Sequence, residues 1–312
     1  MKNYVIVADA TCDLSEELQK QYDIKIIGGH IMLPDKTEIP SFLKWDRYSR
    51  DEFYAELKKD PTGFSTSPAS IGEFTLAFSE YAAAGYDILA ISISGGISGA
   101  HGFMLQAADA VMKKYPGTQI CCVDSRRFGP GFGLLAVHAS LLRAQGKSLQ
   151  EVTDYLESNK NRFHQAGWLD DLTFVAKKGR ITHPKAFFGT LAGVKPIGEF
   201  DSNGLTTVLG KARGAKKAYS VLLSYMEQTI EDPEDQIVFI AHTNRQPQAE
   251  EYKKMIEERF HPREVRINDV FPLCGINIGP GLMAAYYVGK PISDGLTFER
   301  GLIEKLLNGE EK

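Results

Sequence analysis

No stretch of the sequence stays apolar long enough to cross a bilayer, and the apolar run opening at Tyr4-Val-Ile-Val-Ala8 is too short for a signal peptide. The expectation is a cytoplasmic protein with no integral membrane segment. Positive charge is not in excess either. Lys and Arg number 36 against 40 Asp and Glu, a formal net charge of −4 at pH 7. Nucleic-acid recognition needs a cationic footprint, so nucleic acid is not an expected partner. Cysteine is scarce: Cys12, Cys121, Cys122 and Cys274 form no C-x-x-C pair and read as small buried hydrophobes. The histidines show neither H-x-x-x-H nor H-E-x-x-H spacing, and no Walker loop is present, so neither metal nor cofactor is expected.

What is present suits a soluble globular protein. The chain has 312 residues, room for two ordinary domains, with 43% hydrophobic and 24% charged residues. In the first half, strands at Tyr4–Ala8, Ile24–Leu33, Asp87–Ser94 and Thr118–Val123 alternate with helices. The helices cover 15–22, 49–58, 68–84, 99–115, 134–144 and 148–163, with Ser67-Pro68 as an N-cap and N1 pair and Ser70-Ile-Gly-Glu73 as a capping box. After Gln165 the rhythm changes. A strand at Leu172–Ala176 and a helix at Pro184–Leu191 precede strands Val194–Phe200 and Leu205–Leu209, which flank the turn Asp201-Ser-Asn-Gly204. Helices at 215–230 and 248–259 alternate with strands Gln236–Ala241 and Glu264–Asn268, and helices at Gly281–Tyr287 and Phe298–Leu307 close the chain. The fold class is therefore α/β in two domains: residues 1–165 with a mostly parallel sheet covered by helices, and residues 166–312 as a mixed α/β domain.

The first half is organised around Asp87-Ile-Leu-Ala-Ile-Ser-Ile-Ser94 and the turn Gly95-Gly-Ile-Ser98-Gly99-Ala100. Strand, glycine turn and helix together aim unpaired backbone N–H groups at an anion, and Ser94 and Ser98 add hydroxyls. Two further turns share this character, Ser65-Thr66-Ser67-Pro68 and Lys177-Lys178-Gly179-Arg180. In one crevice, the three would meet a carboxylate or phosphate with hydroxyls and a guanidinium, each charge-assisted bond contributing roughly 1.5–3 kcal/mol. Singly, Thr66, Ser67 and Ser98 also read as helix caps, and Arg180 as a surface charge. A rival reading starts from Gly96-Ile-Ser98-Gly99-Ala100, one residue short of the nucleophile elbow G-x-S-x-G. It makes the protein a serine acyl-ester hydrolase using Ser98, with His242 or His261 as base.

The order Asp9-Ala-Thr-Cys-Asp13-Leu14, Ser65-Thr66-Ser67-x-Ala-Ser70 and Ile97-Ser98-Gly99 resembles the DegV family of bacterial fatty-acid-binding proteins. So do Val123-Asp124-Ser125, Lys178-Gly179-Arg180-Ile181, Val194-Lys195-Pro196-Ile197, Gly210-Lys-Ala-Arg213-Gly214, Ala241-His242-x-Asn244 and Ile278-Gly279-Pro280-Gly281. The resemblance implies a long-chain fatty acid with its acyl chain in an apolar tunnel of the second domain and its carboxylate at the domain interface. The family's T-S-x-P threonine falls on Thr66, beside Ser67, and its L-S-G serine on Ser98, beside Gly99. The G-G-R arginine falls on Arg180. Some members present the acid to a separate fatty-acid kinase, so the resemblance implies a binding protein, not an enzyme, and such a kinase as a partner.

Three features depart from the family pattern. The usual serine-glycine-threonine-tyrosine run is Ser98-Gly99-Ala100-His101, Asn277 stands where kinase-coupled members carry histidine, and the chain extends from about Pro291 beyond the family's usual end. The first two motivate a further alternative, a binder of another amphipathic anion. Burial of an acyl chain stabilises by about 0.8 kcal/mol per CH₂. Candidate tunnel residues are Phe187, Phe188 and Leu191, with Ile197, Phe239, Ile276, Ile278, Leu282 and Met283. Each also reads as plain core.

Overall fold

A computed structural model describes residues 3–182 and 193–309. The described residues form two compact units, one from residues 3–47, 62–160 and 271–274, the other from 48–61, 161–182, 193–270 and 275–309.

In the first unit, β1 (Tyr4–Asp9) is followed by α1 (Glu16–Gln21) and β2 (Ile24–Ile27). Gly28-Gly29 then breaks the chain, so the single strand expected over Ile24–Leu33 is two. A Cβ on Gly29 would lie 2.6 Å from the Ser67 carbonyl oxygen, and this close approach turns β3 (His30–Met32) away from β2. β3 pairs antiparallel with β4 (Glu38–Pro40) and β5 (Ser65–Ser67) in a small separate sheet. Ser67 is thus a strand residue and not the helix cap expected from Ser67-Pro68. The cap is Ser70, which with Glu73 forms the expected capping box at the start of α3 (Ile71–Ala83). α2 (Arg50–Lys59), begun by the same device at Ser49 and Glu52, belongs to the second unit.

β6 (Asp87–Ser92) and β7 (Ile120–Asp124) complete an all-parallel sheet of order β2-β1-β6-β7. Every residue of β1 and β6 is buried, as expected of a parallel sheet covered on both faces. Val5, Val7, Ile88 and Ala90 pack with Phe74 and Phe78 of α3 and Met104 and Val111 of α4 (Ala100–Lys114). α5 (Gly129–Ala144) and α6 (Leu149–Asn159) complete the unit.

The second unit continues with β8 (Phe163–Trp168), whose first residue the sequence reading makes the end of a helix. Leu172–Ala176, expected as a strand, lies instead in the short helix α7 (Thr173–Lys177) and the residue before it. The expected hairpin forms: β9 (Val194–Phe200) pairs antiparallel with β10 (Thr206–Arg213). α8 (Gly214–Thr229), β11 (Ile237–His242), α9 (Gln246–Phe260) and β12 (Glu264–Asp269) follow, then α10 (Pro272–Ile278), which the sequence reading did not anticipate. Gly281–Tyr287, expected as a helix, instead gives β13 (Met283–Val288), hydrogen-bonded to both β8 and β11. Met-Ala-Ala is helix-favouring in isolation, but burial in the middle of the sheet overrides propensity. The sheet order is β10-β9-β8-β13-β11-β12, with only β11 and β12 parallel. Trp168, Val238, Ile240, Met283 and Ala285 pack under α8, α9 and α11 (Thr297–Asn308).

α11 lies in the chain's extension and is a built part of this core. Ile303 is fully buried, and a Cβ on Gly210 would meet Leu307 Cδ1 at 2.5 Å and Ile303 Cγ2 at 2.8 Å. The same unit holds a buried polar network. Glu199 accepts from Gln165 N at 2.7 Å and Phe200 N at 2.9 Å, and its other oxygen lies 3.1 Å from His164 Nδ1. Among the described residues no helix is long and apolar enough to cross a membrane. The helix expected at Pro184–Leu191, with Phe187, Phe188 and Leu191, lies outside the described residues.

Candidate functional site

The turn after β6 is where the sequence places an anion, and its backbone is already engaged. Ile93 N donates to Asp9 Oδ2 at 2.9 Å, Ser94 N to the Arg127 carbonyl at 3.0 Å, and Gly95 N to Asp124 Oδ1 at 3.1 Å. Gly96 N donates to Ser94 Oγ at 3.1 Å, and Ile97 N and Ser98 N both reach the Ser94 carbonyl at 3.2 Å. The expectation of unpaired N–H groups across the glycine turn is therefore corrected. Strand ends and carboxylates on either side of β6 consume them, and among the described residues Gly99 N–H alone in the run 93–100 has no acceptor. Ser98 Oγ accepts from Ala100 N at 3.2 Å and keeps its own proton available to a ligand. Half-buried Ser98 and exposed Gly99 thus supply one hydroxyl and one amide, with Gly99 capping α4 through no side chain.

Thr66 and Ser67 belong to the same unit but a different sheet, Thr66 opposite Ile31 and Ser67 opposite His30. Thr66 is half-buried and Ser67 exposed. His101 sits on the first turn of α4 with Nδ1 3.1 Å from Ser92 Oγ, and burial holds its imidazole below its ordinary range.

Arg180 and Asn277 lie in the second unit, both half-buried. The turn after α7 folds on itself: Gly179 takes φ +70°, and the Arg180 guanidinium donates to the Lys178 carbonyl. Burial, and then the Arg180 charge, lower the Lys178 ammonium. Asn277 lies in the last turn of α10, just before Gly279 at φ +76°. Sequence reasoning did not single out a neighbouring cluster. Asp170 pairs with both Lys195 and Arg245, and its N–H donates to the Gly281 carbonyl at 3.2 Å.

The hydrolase requirement is not met by His242. Its Nδ1 accepts from Arg245 N at 3.1 Å and its Nε2 faces Gln246 Oε1 at 2.9 Å, so the neutral ring has no lone pair left for a serine proton. The bond of Ser98 Oγ is likewise to a backbone amide, not to an imidazole.

The sheet face opposite α8 and α9 has a distinctive floor. One cross-strand row reads Gly198, Gly167, Ala284, Ala241, and the next row on that face carries Gln165, Tyr286 and Phe239. The row of small side chains runs across the strands beside the aromatic rings of Tyr286 and Phe239, and all of these residues except half-buried Gly198 are buried. Of the tunnel candidates, Phe239 points to this face, whereas Ile197 and Met283 point to the other, into the core under the helices.

A family model described as an uncharacterised protein, DegV family, matches residues 3–290. A DegV domain-containing protein of Clostridium perfringens is 31% identical over 289 residues, covering 93% of this chain and 98% of its own. Among solved structures, a Thermus thermophilus DegV family protein described by its fatty acid binding superposes with a TM-score of 0.82 at 23% identity, covering 92% of this chain and 100% of that one. A Eubacterium eligens DegV family protein loaded with heptadecanoic acid gives 0.80 at 21% identity, covering 92% and 100%.

Proposed function

Because this chain belongs to the DegV family, we propose that it binds a long-chain fatty acid non-covalently and catalyses no reaction on it. The observation that carries this reading is near full-length similarity to proteins described as fatty-acid-binding. The row of small residues Gly198, Gly167, Ala284 and Ala241 on the second unit's sheet, beside Tyr286 and Phe239, supports it as an apolar surface for the acyl chain. We assign the carboxylate to Thr66, Ser67, Ser98 and Gly99 in the first unit and to Arg180 and Asn277 in the second. The hydroxyls donate, Gly99 offers its free N–H, and Arg180 supplies the charge.

Native mass spectrometry of freshly purified protein, followed by solvent extraction, tests the reading. A stoichiometric fatty acid is expected. Protein that arrives empty and takes up no added oleate refutes it, and extraction of an isoprenoid or another amphipathic anion would favour that class instead. Presentation to a separate fatty-acid kinase is the finer part of the proposal. Asn277 hydrogen-bonds through its amide but shuttles no proton, so Asn277→His should raise acyl-phosphate formation when kinase and ATP are added. A cytoplasmic location belongs to the same proposal, and fractionation of cells checks it.

A further inference from the structure

The three parallel strands that meet at the Ser98 turn end in a pattern the binding reading does not use. β1 and β7 flank β6 on either side, and each closes with an aspartate, Asp9 and Asp124. The main-chain ladder stops there, since β1 pairs as far as Ala8 opposite Ile91 and β7 as far as Asp124 opposite Ser92. Beyond those pairs two backbone bonds persist on the β7 side, Ser125 N to the Ser92 carbonyl at 3.1 Å and Ser94 N to the Arg127 carbonyl at 3.0 Å, and the carboxylates accept the flanking Ile93 and Gly95 amides. Asp9 Oδ2 receives Ile93 N at 2.9 Å, while its Oδ1 is held by Thr11 N at 2.9 Å and by the Thr11 hydroxyl. Asp124 Oδ1 receives Gly95 N at 3.1 Å and Arg126 N at 2.9 Å. Asp9 is only 4% exposed, so its bonds run through a dry setting where each counts for more. The fit at Gly95 is close, because a Cβ there would lie 2.9 Å from Asp124 Oδ2.

We infer that Asp9 and Asp124 are positioning residues that clamp the Ser94–Ser98 turn from both sides and so fix where the Ser98 hydroxyl and Gly99 N–H point. The inference rests on the reading of Ser98 as a carboxylate ligand. The clamp acts only through the turn. It fixes Ile93 and Gly95, these fix the Ser94 carbonyl, and that carbonyl holds Ile97 N and Ser98 N. Asparagine cannot replace Asp9 without loss. Both oxygens of Asp9 accept, and an amide offers one acceptor and one NH₂. Gly95→Ala disturbs the same clamp by pushing and not by deletion. It leaves both carboxylates in the sequence but drives Asp124 off the Gly95 amide.

The test measures affinity for a fluorescent fatty acid in the full-length protein and in Asp9→Asn, Asp124→Ala, Gly95→Ala and Ser98→Ala, with hydrogen exchange across residues 93–98. Variants that keep the wild-type circular dichroism spectrum are compared. Affinity is expected to fall about tenfold in each clamp variant, with faster exchange confined to the turn. In the Ser98→Ala background the clamp variants should add little further loss, because the group they position is gone. Affinity within twofold of wild type, or losses that simply add to that of Ser98→Ala, would overturn the inference. Wild-type protein that binds no fatty acid would sink the functional reading alone. Exchange then decides the clamp: unchanged protection at 93–98 in the three clamp variants overturns it, and accelerated exchange sustains it.

Discussion

Replacing Glu199 with alanine should cost far more than replacing it with glutamine. The side chain is 1% exposed, and one oxygen holds the backbone N–H groups of Gln165 and Phe200 at 2.7 and 2.9 Å. Its other oxygen faces His164 Nδ1 at 3.1 Å and the Tyr225 hydroxyl at 3.4 Å. His164 Nε2 lies 2.9 Å from the Lys290 carbonyl, which can only accept, so that nitrogen carries a proton. Alanine orphans two buried amide donors at about 1–3 kcal/mol each and leaves a cavity, a loss of about 3–5 kcal/mol in all. Glutamine keeps the carbonyl for both amides and turns its NH₂ toward Nδ1, which accepts it when the ring is the neutral Nε2–H tautomer. Its cost is then about 1 kcal/mol or less. Urea unfolding followed by the fluorescence of Trp168, with Trp45 replaced by phenylalanine, reads the second unit directly. Trp168 is 2% exposed there and stacks edge-on to Tyr219. A loss below about 1 kcal/mol in Glu199→Ala, or equal losses in the two variants, would refute the account.

At the binding site, Arg180→Ala should weaken fatty-acid affinity by roughly 1.5–3 kcal/mol by titration calorimetry, and an unchanged affinity removes Arg180 from the ligand. Gly210→Ala should cost about 1–3 kcal/mol and open α11 to protease, because its methyl group meets Leu307 at 2.5 Å. Partial rescue by Leu307→Ala checks that mechanism. Ser70→Ala removes the α3 cap and should cost about 1 kcal/mol in a denaturant melt. In alkali, burial raises Tyr219 from 10.0 to about 12 and lifts Tyr225, Tyr252 and Tyr287 as well. A raised folded pKa means the unfolded chain deprotonates first. The stability from these phenols is full below about pH 10 and is lost as pH rises through 12. The last part of the phenolate absorbance, from these buried rings, should therefore appear together with unfolding, and complete phenolate absorbance in protein that is still folded would contradict this.

The parallel half was legible because burial there is uniform. β1 and β6 centre on the apolar runs Val5-Ile-Val-Ala8 and Ile88-Leu-Ala-Ile91 between polar ends, and the glycine turn and capping serines follow them closely. The second half hid its central strands. Phe163-His-Gln-Ala-Gly-Trp168 looks too polar for a buried strand because its compensating acceptor, Glu199, stands 35 positions from His164. At the site, residue types marked the Ser98 turn correctly as a special turn, but not how its amides are spent. The acceptor for Ile93 N comes from 84 positions away and that for Gly95 N from 29. Sequence spacing carries no trace of either.

The place of β13 bears on synthesis. β8 and β11 are not neighbours in the sheet, because β13 lies between them, and among the described strands β13 is the last to leave the ribosome. While β8 to β12 emerge, the hairpin side and the parallel side of this unit are two half-sheets, each with an open inner edge that waits for Met283–Val288. Such edges attract chaperones, neighbouring nascent chains and each other. The unit therefore depends on late strand insertion. A stop codon shortly before residue 283 should leave not a slightly shortened protein but two unsealed halves destined for degradation.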